Sequence, residues 1–74
     1  MNIEQIKAII ESILFASGRV VSLNELMSAL EVNSEDIIKI IDNMQTEYEE
    51  QSRGIEIIKV DEGYQMCDFV AVKN

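Results

Sequence analysis

The stretch Ser34–Cys67, SEDIIKIIDNMQTEYEEQSRGIEIIKVDEGYQMC, changes its apolar period once, and that change decides the fold. In its first half Ile37, Ile40, Ile41, Met44 and Tyr48 fall at i, i+3, i+4, i+7 and i+11, a single helical face. Asn33 supplies an Asx cap ahead of Asp36, and Val32 can staple against Ile37. This helix is expected to run to about Gln51 and to end at Arg53-Gly54. The next segment, Ile55-Glu56-Ile57-Ile58-Lys59-Val60, is rich in β-branched residues. Asp61-Glu62-Gly63 is a turn signal, and Tyr64-Gln65-Met66-Cys67 can return as a second strand. Ile57 and Ile58 break strict alternation, which implies either a bulge or burial on both strand faces.

Working back toward the N-terminus, Ile3, Ile6, Ile9, Ile10, Ile13 and Leu14 recur at helical spacing from Asn2 to Ser17, with Gly18 as a C-terminal cap. Arg19-Val20-Val21 reads as a short extended link. Ser22-Leu23-Asn24-Glu25 then spells a capping box, in which the Glu25 carboxylate reaches back to the cap, and Val21 can staple against Leu26. The helix that begins at Leu23 buries Leu23, Leu26, Met27 and Leu30. A tight turn, Glu31-Val32-Asn33, joins it to the longer helix, as in a helix-turn-helix. Helix, link, helix, turn, helix and hairpin give an α+β winged helix, three helices in helix-turn-helix arrangement with a C-terminal β-hairpin wing, over residues 1–69. The tail 70–74 carries no stop signal and reads as a cut, which suggests a domain excised from a longer protein.

A chain of 74 residues holds one core. At this size only about 60% of the unfolded surface is buried, and disulfides, metals or oligomerisation often supply the remaining stability. One cysteine, Cys67, and no histidine leave neither a disulfide nor a zinc-type cluster, so no metal or cofactor is expected and oligomerisation remains. Fourteen acidic against six basic residues give a formal charge of −8, which repels phosphate backbones and anionic lipid. No secretory leader or membrane-length apolar run is visible, and the cytoplasm is the expected compartment.

The helix-turn-helix order invites a nucleic-acid reading, but the would-be recognition helix carries Lys39 as one base against Glu35, Asp36, Asp42, Glu47, Glu49 and Glu50. Such a helix meets major-groove phosphates with repulsion, and in the wing Lys59 stands among Glu56, Asp61, Glu62 and Asp68. Catalysis is not expected either. No histidine is present to act as a base at neutral pH, and adjacent acids such as Glu49 and Glu50 read as a solvated helix end. Cys67 reads as a small buried hydrophobe, and Met27, Met44 and Met66 as core fillers.

The candidate contact residues are those that leave the stripes. Ile38 lies off the Ile37/Ile41/Met44 line beside Asp42, Gln45 and Glu49, and Phe15 falls roughly opposite Ile6 and Ile13, near Ala8 and Glu11. Either the hairpin folds back over Phe15 or the first helix presents a surface; Ile38 is either an isolated exposed side chain or part of a contact. Phe15, Ile38, Ala8 and Gln45 are accordingly the candidate protein-interface residues, and a homodimer is the expected assembly.

The run Ile9-Ile10-Glu11-Ser12-Ile13-Leu14-Phe15-Ala16-Ser17-Gly18, followed by Val21-Ser22-Leu23-Asn24-Glu25-Leu26, resembles the start of the bacterial segregation and condensation protein B family, ScpB. Asn33-Ser34-Glu35-Asp36-Ile37, Tyr48-Glu49-Glu50, Arg53-Gly54-Ile55-Glu56 and Gly63-Tyr64-Gln65-Met66 come next in the family's order. The resemblance implies the first of two winged-helix domains in a non-enzymatic subunit of the SMC condensin-like complex. Such a subunit dimerises and binds the kleisin ScpA, and through it SMC, in chromosome condensation and segregation. The departure is Asp68-Phe69-Val70-Ala71-Val72, which does not match the family's run into a second domain. The alternative from another class is a winged-helix transcription regulator that binds DNA through a different face.

Overall fold

Asn2 opens α1 (Ile3–Ser17) with a reciprocal cap: its side chain accepts from the Gln5 amide at 2.9 Å, and Gln5 Oε1 accepts from the Asn2 amide at 3.0 Å. Gly18, at φ 62, closes the helix in the left-handed conformation. The computed structural model describes residues 2–68, so Phe69 and the expected tail 70–74 lie outside the described residues. At Ser22, where the sequence spells the same reciprocal cap, only half of it forms. Glu25 N donates to Ser22 Oγ at 3.0 Å, while the Glu25 carboxylate turns to Arg19 at 3.4 Å. That cap starts α2 (Leu23–Leu30), which ends at Glu31 with φ 57. Asn33 then caps α3 (Ser34–Glu50), accepting from Asp36 N at 2.9 Å as its sequence implies.

The link after Gly18 does more than the sequence suggested. Val21 and Ser22 form β1 (Val21–Ser22), which pairs antiparallel with β3 (Gly63–Asp68), so β2 (Ile55–Val60) and β3 belong to a three-stranded sheet in the order β1-β3-β2. A two-residue strand is too short to show a period, and only its partner reveals it. Between β2 and β3 the register runs without interruption from Ile55↔Asp68 to Val60↔Gly63, so no bulge forms at Ile57-Ile58. Ile57 enters the core and Ile58 is half-buried on the opposite face. Cys67, paired with Glu56 on that same outer face, is half-buried where a core position was expected. Three helices against a three-stranded antiparallel sheet make this an α+β winged helix.

The core gathers around α3. Ile37, Ile40, Ile41, Met44 and Tyr48 pack with Ile6, Ile10 and Leu14 of α1, Leu26 and Leu30 of α2, and Val21, Ile57 and Tyr64 of the sheet. Met44 is buried, while Met27 and Met66 are partly buried against this cluster. The hairpin tip is tied back to the helices, since Leu23 N donates to Glu62 O at 2.9 Å. This close approach explains Gly63, opposite Ser22. A Cβ there would lie 2.6 Å from Val21 O and 2.8 Å from Val20 Cγ1.

Gly63→Ala should therefore destabilise the domain by about 1–3 kcal/mol, because the contact falls on β1 backbone that cannot move without unpairing the strand. Gly54→Ala, with nothing within 4 Å of its would-be Cβ, should be neutral or slightly stabilising. Urea denaturation of the two variants compares them directly, and equal stabilities would contradict this account of Gly63.

Candidate protein-contact surfaces

The buried stripe of α3 leaves two flanks, and a polar bond fixes each. On the α1 flank Lys7 Nζ donates to Glu47 Oε2 at 2.9 Å and lies 3.7 Å from Glu4, with the Lys7 side chain only 13% exposed. The hydrogen bond to Glu47 is the chief cause that raises the Lys7 pKa above its ordinary value; burial opposes it, and the Glu4 and Glu47 charges reinforce it. On the sheet flank Gln45 Nε2 donates to Ile57 O at 2.7 Å, joining α3 to β2.

This arrangement divides the candidate residues into two pairs. Phe15 is 75% exposed, so the hairpin does not cover it, and Ala8 is exposed on the same side of α1. Ile9 and Ile3, which the sequence assigns to the buried stripe, are exposed as well. The stripe is centred on Ile10, about 100° around the helix from Ile9, and Ile3 sits in the first turn. The outer face of α1 therefore presents Gln5, Ala8, Ile9, Ser12, Phe15 and Ala16, none of them charged. Ser12 Oγ donates to Ala8 O at 3.0 Å, so its hydroxyl already has an acceptor. Ile38, 36% exposed, and Gln45, half-buried with its amide committed to Ile57, share the other flank of α3.

Next to Gln45 a groove of ≈ 410 Å³ runs between the C-terminal half of α3 and β2, lined by Tyr48, Glu49, Ser52, Arg53, Ile55, Glu56 and Ile57 together with Gln45. Its end is shaped by how α3 stops. Ser52, not Gly54, takes the left-handed position at φ 52; Ser52 N donates to Glu49 O at 3.1 Å and Arg53 N to Tyr48 O at 3.0 Å. This closure sets the Arg53 guanidinium 4.7 Å from the Tyr48 ring centroid and 3.5 Å from Glu11. Beneath it the Tyr48 hydroxyl is buried with no hydrogen-bond partner. Burial foremost, then the Glu11 charge, pushes its pKa up against the opposing pull of Arg53. The sequence reveals Tyr48 only as a core residue. A stacked arginine five positions on has no pattern of its own.

Among the described residues no three His, Cys, Asp or Glu side chains gather in a way that could hold a metal ion, and no helix is long and apolar enough to cross a membrane. The outward side of α3 carries Glu35, Lys39, Asp42, Thr46 and Glu50, all exposed, so the position of a recognition helix presents mainly acid.

A family model described as "Segregation and condensation complex subunit ScpB" matches residues 8–73. Segregation and condensation protein B of Lachnoclostridium phytofermentans is 45% identical over 67 residues, 90% of this chain and 35% of that protein. The protein of the same name from Clostridioides difficile is 45% identical over 69 residues, covering 90% and 38%. The chain thus spans about a third of the length of the curated relatives it matches. The fold is similar to the crystal structure of a dimer of ScpB N-terminal domain complexed with ScpA peptide, with TM-score 0.82 and 27% identity, covering 89% of this chain and 83% of that one.

The unpartnered Tyr48 hydroxyl leads to a stability prediction. Tyr48→Phe should leave stability at neutral pH within about 0.5 kcal/mol, since no intramolecular hydrogen bond is lost. Tyr48, Tyr64 and Lys7 all hold their protons more tightly folded than unfolded. The stability they contribute is present below about pH 10 and lost as pH rises through their folded values. Denaturation midpoints should fall in that alkaline range, less steeply in Tyr48→Phe. A large loss in the variant at pH 7 would mean that the hydroxyl has a partner.

Proposed function

The chain belongs to the segregation and condensation complex subunit ScpB family, and from that premise we propose that it is a non-enzymatic assembly module of the SMC–ScpA–ScpB complex. It acts in the cytoplasm, in chromosome condensation and segregation, by pairing with a second copy of itself and holding an ScpA-type kleisin, and through the kleisin SMC. It does not read DNA sequence. The observation that carries this reading is the uncharged outer face of α1 on a protein of charge −8. A molecule so acidic repels its own copy over most of its surface, and an uncharged apolar face is where that repulsion is least.

The self-contact is assigned to Phe15 and Ala8, with Ile9 beside them. Ala8, Ser12 and Ala16, four residues apart, let a second helix approach closely, and a two-fold axis would lay each Phe15 onto the facing copy. Burying one such ring contributes on the order of 1.5–3 kcal/mol. Ile38 and Gln45 lie on the other flank of α3 and are assigned to contact with an unlike chain. The related ScpB N-terminal domain that crystallised as a dimer with an ScpA peptide supports both halves of the reading. The acid on the outward side of α3 supports it against a DNA-binding regulator.

Phe15→Glu, at a side chain already exposed, should leave the secondary structure of the chain intact by circular dichroism, weaken self-association by about 30-fold or more in sedimentation equilibrium, and remove the rise of melting temperature with protein concentration. Ala8→Glu should act in the same direction. Folded variants that still dimerise with the affinity of the unmodified chain would exclude this face. Co-purification with the cognate ScpA, and no shift of random duplex DNA at physiological salt, check the other half.

A further inference from the structure

We propose that the groove between α3 and β2 seats a segment of an unlike partner chain, one that lodges a bulky apolar side chain against Tyr48 and Ile55 and sets lysine or arginine against Glu49 and Glu56. The assignment rests on the reading that the module holds a second kind of protein.

The groove has room for a few side chains, and its apolar lining comes from Tyr48, Ile55 and Ile57. Its rim is acidic. Glu49 and Glu56 have no ion-pair partner within 4 Å among the described residues, whereas the one nearby cation, Arg53, is already held by Glu11 and stacked on Tyr48. β2 forms the edge of the sheet, paired with β3 on one side only, and on the Gln45 side one of its carbonyls is bridged by a side chain rather than by a strand. Ile38 lies on the same flank of α3 as Gln45 and Glu49, seven and eleven residues earlier, and extends the apolar line beyond the groove.

Charge selects among the occupants. A second copy would bring glutamates against Glu49 and Glu56, and a nucleic acid would bring phosphates; both are repelled. An apolar segment flanked by basic residues is attracted, and the attraction is salt-dependent.

The test uses the full chain with the cognate ScpA as probe, titrated by calorimetry at low and at physiological salt. Glu49→Lys/Glu56→Lys should bind ScpA about tenfold or more weakly, with self-association unchanged. Glu49→Gln/Glu56→Gln, which preserves side-chain volume, should reduce the salt dependence, and it carries the charge test should the reversed variant fail to fold. Ile38→Glu should weaken binding without altering the dimer. Folded variants that bind ScpA as tightly as the unmodified chain would overturn the groove assignment alone. Loss of dimerisation in the glutamate variants would also overturn it, by placing the groove in the self-contact. If the unmodified chain does not bind ScpA at all, the reading on which this proposal rests falls, and the proposal falls with it.

Discussion

Burial of one face of α3 is the constraint on which the other elements depend. Ile37, Ile41 and Met44 are almost completely removed from water, and α1, α2 and the sheet each contribute side chains to covering them. Once that stripe is turned inward, the helical period fixes what lies on either side of it. Glu47 falls on the α1 flank and takes Lys7, while Gln45 falls on the sheet flank and takes the Ile57 carbonyl. These two bonds are satisfied within the fold at the azimuth that burial of the stripe has set. With the azimuth set, Glu35, Lys39, Asp42, Thr46 and Glu50 must face solvent.

The same constraint separates two surfaces of different physical character. The centre of the outer face of α1 is uncharged because the ionic residues of the helix lie to one side: Lys7 and Glu11 turn toward α3 and Arg53, and Glu4 and Glu11 border the face. The groove beside β2 is apolar at its base and acidic at its rim. An acidic molecule that must meet its own copy has reason to use the first kind of surface, and one that must meet a basic or neutral stranger has reason to use the second. Phe15 with Ala8 and Ile38 with Gln45 therefore lie on separate surfaces, although Phe15 and Ile38 stand out in the sequence for the same reason, their departure from the main stripes.

How much of the molecule is readable from its sequence depends on the range of the interaction concerned. The helices, the Asx cap at Asn33 and the change of period at Ile55 are local, and they fall where the residues place them. Some failures are cases where a distant group decides, and others are local choices between competing partners. Val21 and Ser22 become a strand only because β3 lies beside them, and Gly63 is needed only because β1 passes so close. Glu25 leaves its expected cap for Arg19, and the left-handed closure of α3 falls on Ser52 although a glycine stands two residues further on. The candidate surfaces were half readable. Helical phase pointed to Phe15 and Ile38, but the hydrogen bond that occupies Gln45 and the exposure of Ile9 depend on where the sheet and the centre of the core settle.

A winged helix that does not read DNA needs no change of fold, only a change of charge on surfaces the fold leaves free. The buried stripe of α3 tolerates any outward residue, because the core is indifferent to Glu35, Asp42 or Glu50 so long as Ile37, Ile41 and Met44 remain. Substituting acid for base along that outward side replaces phosphate attraction with repulsion at little cost to stability, since exposed charges contribute weakly to it. The faces where charge is lowest or most one-sided, here the back of α1 and the edge of β2, are where the proposed contacts lie. Shape alone would have suggested a nucleic-acid partner. The distribution of fourteen acids over so small a surface favours other proteins instead.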